Sequence, residues 1–300
     1  MPLAQSWLDM EKASGGRAVL KGTPDELKAM YGQLVASLLP QYPKPSENFE
    51  SKDGDVDGIK YPHGGGWMLG DLDGDDLLCR AVAEYTNSAV VSIDYRLTPE
   101  YKWPIQLEDC MKVYKWAHQN ASSFHGDAKR FYTIGGSAGG GLALAIANQI
   151  IQDPELKAGL KGIAAMVPAT VHFDNVPEQY RAAYKSYAEN ATDVPILDKE
   201  SMEIFYKYLG ADPKDPSLFT LLAADSHKCF PPTYFTSCGF DPLRDDAVSM
   251  ESALKAAGVP TKHDHYEGFP HYFWIFPSVP ESQQYVGNLL AGIGWLQSQM

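Results

Sequence analysis

Short apolar runs alternate with longer amphipathic stretches along most of the sequence, and this rhythm sets the narrowest limit on the fold. The apolar runs have the length of strands, and the first four are apolar enough to be buried on both faces. Strands that alternate with helices predict an α/β fold, with a mostly parallel central sheet flanked by helices. The predicted strands are 89–95, 131–136, 162–169, 232–239 and 261–267, and the predicted helices are 75–87, 104–120, 139–151, 246–257 and 281–298.

The composition argues against several classes of protein. Hydrophobic residues make up 44% of the 300 residues, enough to bury a large core. The 25 Lys and Arg residues against 38 Asp and Glu give a net charge of −13 without a basic cluster, which argues against nucleic acid as a partner. No segment approaches the ~18 apolar residues of a membrane span, and the N-terminus lacks the apolar core of a signal peptide. We therefore expect a cytoplasmic protein without membrane insertion.

The four cysteines predict neither a metal site nor a disulfide framework. Cys79, Cys110, Cys229 and Cys238 form no CxxC pair and have no histidines nearby at ligand spacing. We expect buried free thiols and no bound metal.

Two segments stand outside the alternation of strands and helices. In residues 1–45, Thr23 is a predicted helix cap, Pro24 occupies the first helical position, and apolar residues follow at helical spacing. Residues 171–225 are rich in tyrosine and contain the helical stretch "KESMEIFYKYLG". Both segments could be ordinary surface helices. The alternative is an N-terminal cap and a lid over a site at the carboxyl ends of the strands, where open α/β sheets bind ligands.

A serine lies in the glycine-rich turn between the predicted strand 131–136 and the helix 139–151. The stretch "FYTIGGSAGGGLALAIA" has the strand–turn–helix context of a nucleophile elbow, in which small neighbours allow a sharp turn that presents Ser137. Glycine-rich turns of this kind also bind phosphates, so the motif alone does not decide the chemistry. A serine nucleophile requires a base, and the base requires a carboxylate that orients it.

Both partners follow predicted strands further along the chain. Asp241 in "SCGFDPLRDDA" comes directly after one strand, and His271 in "YEGFPHYFW" comes after the next, in the order Ser, Asp, His. Considered singly, Asp241 is typical of a turn or helix cap and His271 of a packed ring. Their joint placement favours a catalytic triad. His263 and His265 alternate along a predicted strand and are interpreted as sheet residues.

Three consecutive glycines in "YPHGGGWMLG" require a separate explanation. A flexible linker is one reading, since glycine runs are often flexible. The other is an oxyanion hole, in which backbone N–H groups approach the reacting atom closely. With the triad in view we favour the second. We expect Gly65, Gly66 and Ala138 to supply the donors, Gly64 to shape the turn and the His63 ring to brace the loop.

Residues beside these motifs carry weaker predictions. Trp67 directly follows the glycines and is a candidate for an aromatic side chain that faces the substrate. In "YRLTPE", Arg96 and Glu100 are predicted to be buried anchors that hold the loop beneath the site.

The motifs "HGGGW", "DYRLTPEYKWP", "GGSAGG", "DPLRDDA" and "GFPHYFW", in this order, resemble the hormone-sensitive lipase family of α/β-hydrolases over about residues 60 to 300. More narrowly, the chain is similar to fungal esterases of polyketide pathways. The resemblance implies a carboxylic ester hydrolase that needs no cofactor and acts on a small-molecule ester. It implies Ser137 as nucleophile, His271 as general base and then acid, Asp241 as its orienting carboxylate, and a cap over the pocket. A homodimer is compatible with it.

Two departures from the family pattern stand out. Family members usually carry an acidic residue before the serine, whereas this chain has Gly136, so a supporting hydrogen bond near the oxyanion loop is expected to be absent. The segment 46–62 is too short for the strands that normally precede the glycine loop. We expect a sheet that begins one or two strands late, with an exposed and less stable edge, or a gene prediction that lost a segment.

The leading functional prediction is hydrolysis of short- to medium-chain acyl or aryl esters through an acyl-enzyme. An acyltransferase or a lactone-forming enzyme of secondary metabolism would use the same residues. A ligand-binding receptor is a third possibility, because plant gibberellin receptors resemble this family but have lost the catalytic histidine. The presence of His271 argues against that role.

Overall fold

Six parallel strands form the central sheet of the computed structural model, which describes residues 2–42 and 56–299. All five predicted strands are confirmed, and a sixth precedes them. The spatial order is β2-β1-β3-β4-β5-β6, so the chain reverses direction across the sheet after β1 and β2. The strands are β1 (Val56–Pro62), β2 (Ser88–Ile93), β3 (Gly126–Gly136), β4 (Leu160–Met166), β5 (Thr233–Phe240) and β6 (Thr261–Pro270).

Helices follow the strands as expected of a parallel sheet, and the five predicted helices are confirmed within a few residues. Apolar clusters on both sides of the sheet form the core. The helices are α1 (Gln5–Ala13), α2 (Pro24–Leu38), α3 (Asp76–Thr86), α4 (Ile105–Gln119), α5 (Ala138–Ile150), α6 (Glu178–Arg181), α7 (Ser186–Glu189), α8 (Lys199–Leu209), α9 (Arg244–Ala256) and α10 (Glu281–Gln297).

Strand β1 was not predicted, because its sequence "VDGIKYP" is polar and interrupted by glycine. It is nevertheless an inner strand, paired with β2 on one side and β3 on the other. Within residues 2–42 and 56–299 it is the one strand that precedes His63, and β2 forms the edge of the sheet. A late start of the sheet therefore agrees with the described residues. Most of the segment 46–62 lies outside them, and the reduced stability of the edge stays a prediction.

The N-terminal segment and the tyrosine-rich segment contact each other. Val19 and Ile196 form an isolated parallel bridge, and the Lys21 ammonium lies 2.9 Å from the Asp198 carboxylate. The predicted start of α2 is confirmed, since Thr23 forms a complete capping box. The two segments therefore contact each other in the folded chain.

The two charged residues of "YRLTPE" are not buried anchors. Arg96 has 41% of its side chain exposed and pairs with Asp109 at 2.7 Å, and Glu100 is 58% exposed and pairs with Lys28 of α2 at 2.9 Å. Charged side chains that can reach a partner at the surface avoid the cost of desolvation, and the sequence motif carries no information about such distant partners.

Lys60 of β1 is an ionisable residue buried in the core. Its side chain is fully buried, with the ammonium 4.0 Å from the centre of the Phe131 ring, and no acceptor among the described residues lies within hydrogen-bonding distance. Burial disfavours the charged form and lowers the pKa of Lys60 to about 7.

This burial predicts a pH-dependent gain in stability for Lys60→Met. Because the folded-state pKa lies below the unfolded value, wild-type stability is lost as pH falls from the unfolded pKa toward the folded one. At pH 6 the variant should unfold with a free energy roughly 2 to 4 kcal/mol higher than wild type, after allowance for the lost cation–π contact. The difference should shrink toward pH 10. Thermal or urea unfolding at both pH values measures it, with exposed Lys129→Met as the control; a difference independent of pH would contradict the assignment.

Candidate active site

The predicted nucleophile lies at the sharp turn between β3 and α5. Ser137 has φ 57° and ψ −120°, a strained conformation for a residue with a side chain, and its N–H donates to the Met166 carbonyl at 2.8 Å. The glycines around it allow close packing: a Cβ on Gly139 would lie 2.6 Å from the His63 carbonyl oxygen, and one on Gly140 would lie 2.9 Å from that of Met166. The turn therefore depends on the small residues that the sequence supplies.

His271 and Asp241 lie beside Ser137, brought together by the carboxyl ends of β5 and β6. His271 Nε2 is 2.8 Å from Ser137 Oγ, and His271 Nδ1 is 2.7 Å from Asp241 Oδ2. All three residues are buried. With the proton on Nδ1 donated to the carboxylate, Nε2 is the acceptor that faces the serine hydroxyl.

The loop after β5 holds the Asp241 carboxylate in place. The Leu243 N–H donates to Asp241 Oδ1 at 2.8 Å, which leaves Oδ2 directed at His271. The Asn190 side-chain amide donates to the Asp241 carbonyl at 3.2 Å and links this loop to the tyrosine-rich segment. Sequence reasoning did not find this role of Asn190, because no local pattern marks an asparagine that contacts a distant backbone.

The three glycines form a tight loop between β1 and α3. Gly65 and Gly66 have φ values of 110° and 61°, a region that favours glycine. A Cβ on Gly66 would lie 2.5 Å from the Phe205 ring of α8, so this glycine also lets the helix approach. The loop is therefore an ordered turn rather than a flexible linker. Ala138 is the first residue of α5, where backbone N–H groups lack partners within the helix.

The His63 ring contacts the loop from within. Its Nδ1 lies 2.8 Å from the Gly64 carbonyl oxygen, and the ring stacks on Tyr95 with centroids 4.3 Å apart. The Tyr95 hydroxyl donates to the His63 carbonyl at 2.8 Å. Tyr95 lies in the "DYRLTPE" motif, in which only Arg96 and Glu100 were assigned roles, because no local pattern marks a tyrosine that packs on a distant ring.

Comparison with known proteins identifies the family. Residues 59–275, well over half of the chain, match the α/β hydrolase fold. The chain belongs to the α/β-hydrolase family. This confirms the predicted fold class and the predicted resemblance.

This α/β-hydrolase is similar in sequence or in structure to several named proteins, of which three are described here. The chain is 62% identical to versiconal hemiacetal acetate esterase of Dothistroma septosporum, over 99% of this chain and 96% of the relative. The crystal structure of vibralactone cyclase matches with a TM-score of 0.90 and 31% identity, over 99% of this chain and 96% of that one. The thermophilic carboxylesterase EstE1 from a metagenomic library matches with a TM-score of 0.81 and 26% identity, over 91% and 97%.

The alignment with the Dothistroma septosporum esterase is also relevant to the short segment 46–62. It extends over 314 positions, more than the 300 residues of this α/β-hydrolase, so the relative has residues without a counterpart here. The segment 46–62 stays the predicted location of that difference.

A tyrosine takes the space beside Gly136. A Cβ on Gly136 would lie 2.7 Å from the Tyr272 ring carbon that bears the hydroxyl, and a Cβ on Gly64 would lie 2.5 Å from the hydroxyl oxygen. Tyr272 directly follows His271 and has φ 60°. The phenol thus fills the gap between the elbow and the glycine loop in this α/β-hydrolase, and leaves no room there for an acidic side chain.

Trp67 is packed inside the protein. Its side chain is completely buried and its ring lies 5.8 Å from that of Tyr206 in α8. A role of Trp67 in contacting the substrate stays a prediction. A cavity of about 280 Å³ near α8 has His172, Phe173, Tyr206 and Phe219 among its lining residues.

The other two candidate histidines form a separate network. His263 Nε2 and His265 Nδ1 lie 2.8 and 2.7 Å from Ser237 Oγ, and their other ring nitrogens face Glu251 and Glu267. Both nitrogens of each ring therefore have a partner, and the network connects β5, β6 and α9. Neither ring contacts Ser137, which agrees with their interpretation as sheet residues.

Within the described residues, no group of three or more His, Cys, Asp or Glu side chains is arranged to hold a metal ion. All four cysteines are free; Cys79, Cys110 and Cys238 are buried, but Cys229 is exposed, contrary to expectation. It ends a short 3-10 helix at the surface. Among residues 2–42 and 56–299, no helix has the length and apolar character needed to cross a membrane.

Proposed function

We propose that this protein is a serine carboxylesterase that hydrolyses short- to medium-chain acyl or aryl esters of small molecules through an acyl-enzyme. The observation that carries the proposal is the hydrogen-bonded series from Ser137 through His271 to Asp241, with distances of 2.8 and 2.7 Å. The esterase names of its relatives support the same reaction class.

In the first half-reaction, His271 Nε2 takes the proton of the Ser137 hydroxyl as Oγ attacks the ester carbonyl. The resulting oxyanion accepts hydrogen bonds from the N–H groups of Gly65, Gly66 and Ala138. The tetrahedral intermediate then collapses, the bond to the alcohol breaks, and the imidazolium returns its proton to the departing alcohol. Asp241 stabilises the imidazolium throughout.

In the second half-reaction, water attacks the acyl-enzyme and His271 takes one of its protons. A second oxyanion forms in the same place, the bond to Ser137 Oγ breaks, and the serine regains its proton from His271. The cycle uses side chains, backbone donors and water, so the proposal includes no cofactor and no metal.

A second candidate reaction is intramolecular acyl transfer, which would form a lactone. The observation that favours it is the likeness to vibralactone cyclase, with a TM-score of 0.90. A hydroxyl group of the acyl chain would then replace water in the second half-reaction. The same triad and donors would serve both reactions, and the position of the hydroxyl group in the substrate decides between them.

Turnover of p-nitrophenyl acetate, butyrate and octanoate tests the proposed function, with mass spectrometry of the acyl product in the presence and absence of added alcohol. Free acid as the main product supports hydrolysis, and an ester of the added alcohol supports acyl transfer. The absence of any turnover by a folded protein would contradict both and favour a binding role.

The proposal also includes the domain organisation of the chain. We assign the chain as one domain, with residues 1–45 as the cap and 171–225 as the lid; the bridge between Val19 and Ile196 supports a common layer. A homodimer and a cytoplasmic location remain predictions.

A further inference from the structure

Ser186 of the tyrosine-rich segment has a fully buried hydroxyl that bonds to the loop carrying Asp241. It is the first residue of the short helix α7. Its Oγ donates to the Pro242 carbonyl oxygen at 2.7 Å and accepts the Asp245 N–H at 3.2 Å. One hydroxyl thus connects two backbone groups of the turn 241–246, which leads from β5 into α9. This turn is named the acid turn because it carries Asp241.

A carboxylate of the acid turn holds Ser186 in return. Asp245 Oδ2 accepts the N–H groups of Lys185 and Ser186 at 2.6 and 2.7 Å, and Arg244 donates to both oxygens of the same carboxylate. Burial disfavours the charged carboxylate, but the Arg244 guanidinium and the two N–H donors outweigh this effect and lower the pKa of Asp245. Because the acceptor is ionised, these hydrogen bonds are of the stronger, charge-assisted kind.

Three further side-chain hydrogen bonds continue this interface on both sides of Ser186. Each joins a residue of the range 184–190 to a residue of the acid turn. They connect the Asn190 amide with the Asp241 carbonyl at 3.2 Å, Arg244 with Glu189 at 2.7 Å, and the Tyr184 hydroxyl with the Asp246 carboxylate. The tyrosine-rich segment therefore contacts the acid turn at both of its ends.

The position of the acid turn decides where the Asp241 carboxylate points. The Leu243 N–H bonds to Oδ1 at 2.8 Å and leaves Oδ2 at 2.7 Å from His271 Nδ1. Leu243 lies between the two backbone groups that bond to the Ser186 hydroxyl. A shift of the turn at those groups would therefore displace the Leu243 N–H, and the carboxylate would move with it.

We propose that Ser186 is a positioning residue for Asp241, whose hydroxyl fixes the acid turn and thereby keeps Asp241 Oδ2 directed at His271. This inference rests on the proposed function, since the orientation of His271 matters for rate only if the ring acts as a base. A displacement of ~1 Å in a catalytic site can cost ~100-fold in rate. The loss without Ser186 should be smaller than the loss without the carboxylate, because a displaced Asp241 still carries its charge.

The first test measures kcat for p-nitrophenyl butyrate in two variants of Ser186. We expect kcat to fall about 10- to 30-fold in Ser186→Ala, with KM within about threefold of wild type. Ser186→Cys keeps a side chain with a weak donor and should lower kcat about 3- to 10-fold, which provides a second variant if Ser186→Ala does not fold. Ser217→Ala is the matched control, because the Ser217 hydroxyl lies in the same segment but donates to Asp215 at 2.6 Å. Its kcat should stay within about twofold of wild type.

A double-mutant cycle separates positioning of Asp241 from general damage to the fold. In the Asp241→Asn background the orienting carboxylate is absent, so Ser186→Ala should lower kcat less than about twofold further. A highly reactive p-nitrophenyl ester keeps the residual rate measurable. An equal fold-loss from Ser186→Ala in both backgrounds would overturn the inference, because Ser186 would then act independently of Asp241.

Proton NMR provides a readout that does not depend on turnover. The His271 Nδ1 proton, donated to Asp241, should give a far-downfield signal that moves upfield or broadens in both Ser186 variants and stays unchanged in Ser217→Ala. Melting curves verify folding. Wild-type kcat together with an unchanged signal in Ser186→Ala would also overturn the inference. If wild type itself shows no turnover, the proposed function fails, and the NMR signal still decides whether Ser186 holds the acid turn.

Discussion

Replacement of His271 by alanine is expected to lower kcat for ester hydrolysis by about 10⁴- to 10⁶-fold, with little change in KM. The ring is the acceptor that faces Ser137 Oγ at 2.8 Å, and without it the serine hydroxyl keeps its proton during attack. The departing alcohol also loses its proton donor. Substrate binding depends on the pocket rather than on the ring. Steady-state hydrolysis of p-nitrophenyl butyrate, together with thermal melting, measures the effect on a folded protein.

His265→Ala is the matched control for this prediction. His265 belongs to the network around Ser237, and we expect its removal to leave kcat within about threefold of wild type. Loss of activity in His265→Ala with retention in His271→Ala would reverse the assignment of the base. A small and equal effect in both variants would mean that neither histidine acts as the base.

Asp241→Asn should lower kcat by about 10⁴-fold, although the substitution barely changes the shape of the site. The carboxylate accepts the His271 Nδ1 proton at 2.7 Å, whereas an asparagine amide directed at Nδ1 would donate and favour the tautomer with its proton on Nε2. That tautomer cannot take the proton from Ser137. The Leu243 N–H can still bond to the asparagine carbonyl oxygen, so the loop should keep its conformation.

The same esterase assay measures this loss, and Asp225→Asn provides a control with an exposed aspartate. The Asp241→Asn variant should regain activity as pH rises, if hydroxide then replaces the base. A variant with near wild-type kcat at neutral pH would show that Asp241 does not orient His271, whatever the distance between them.

The arrangement of the triad was predictable because each member directly follows a strand. Parallel strands end at one edge of the sheet, so Ser137, Asp241 and His271 are brought together by topology alone. The glycine loop was predictable for a related reason, since positive φ values and close packing both demand glycine at Gly65 and Gly66. Both features follow from residue types and from the order of the strands, which the sequence contains.

Features that depend on distant partners were not predictable. Strand β1 is polar in sequence, and its inner position follows from pairing with β2 and β3 rather than from its own apolar content. Arg96 and Glu100 were expected inside, but Asp109 and Lys28 hold them at the surface. The packing of Trp67 beside Tyr206 of α8 likewise depends on a distant partner, and its contact with substrate stays a prediction. Only the folded chain shows these partners.

The glycine at position 136, where family members usually carry an acidic residue, has a different meaning in the sequence and in the structure. From the sequence, the glycine marks a missing carboxylate beside the oxyanion loop. In the folded chain, the Tyr272 ring fills that space. Tyr272 lies far from Gly136 along the chain, so no local motif could reveal this contact.

The central claim is that Ser137 carries the acyl group, and pre-steady-state kinetics with p-nitrophenyl acetate test it most directly. An acyl-enzyme releases one p-nitrophenolate per active site before steady turnover begins, provided that deacylation is slower than acylation. Wild type should show a burst equal to its active-site concentration, with Ser137 acetylated in the quenched protein by mass spectrometry, and Ser137→Ala should show neither. A burst that persists in Ser137→Ala, or acetyl found on another residue, would contradict the account.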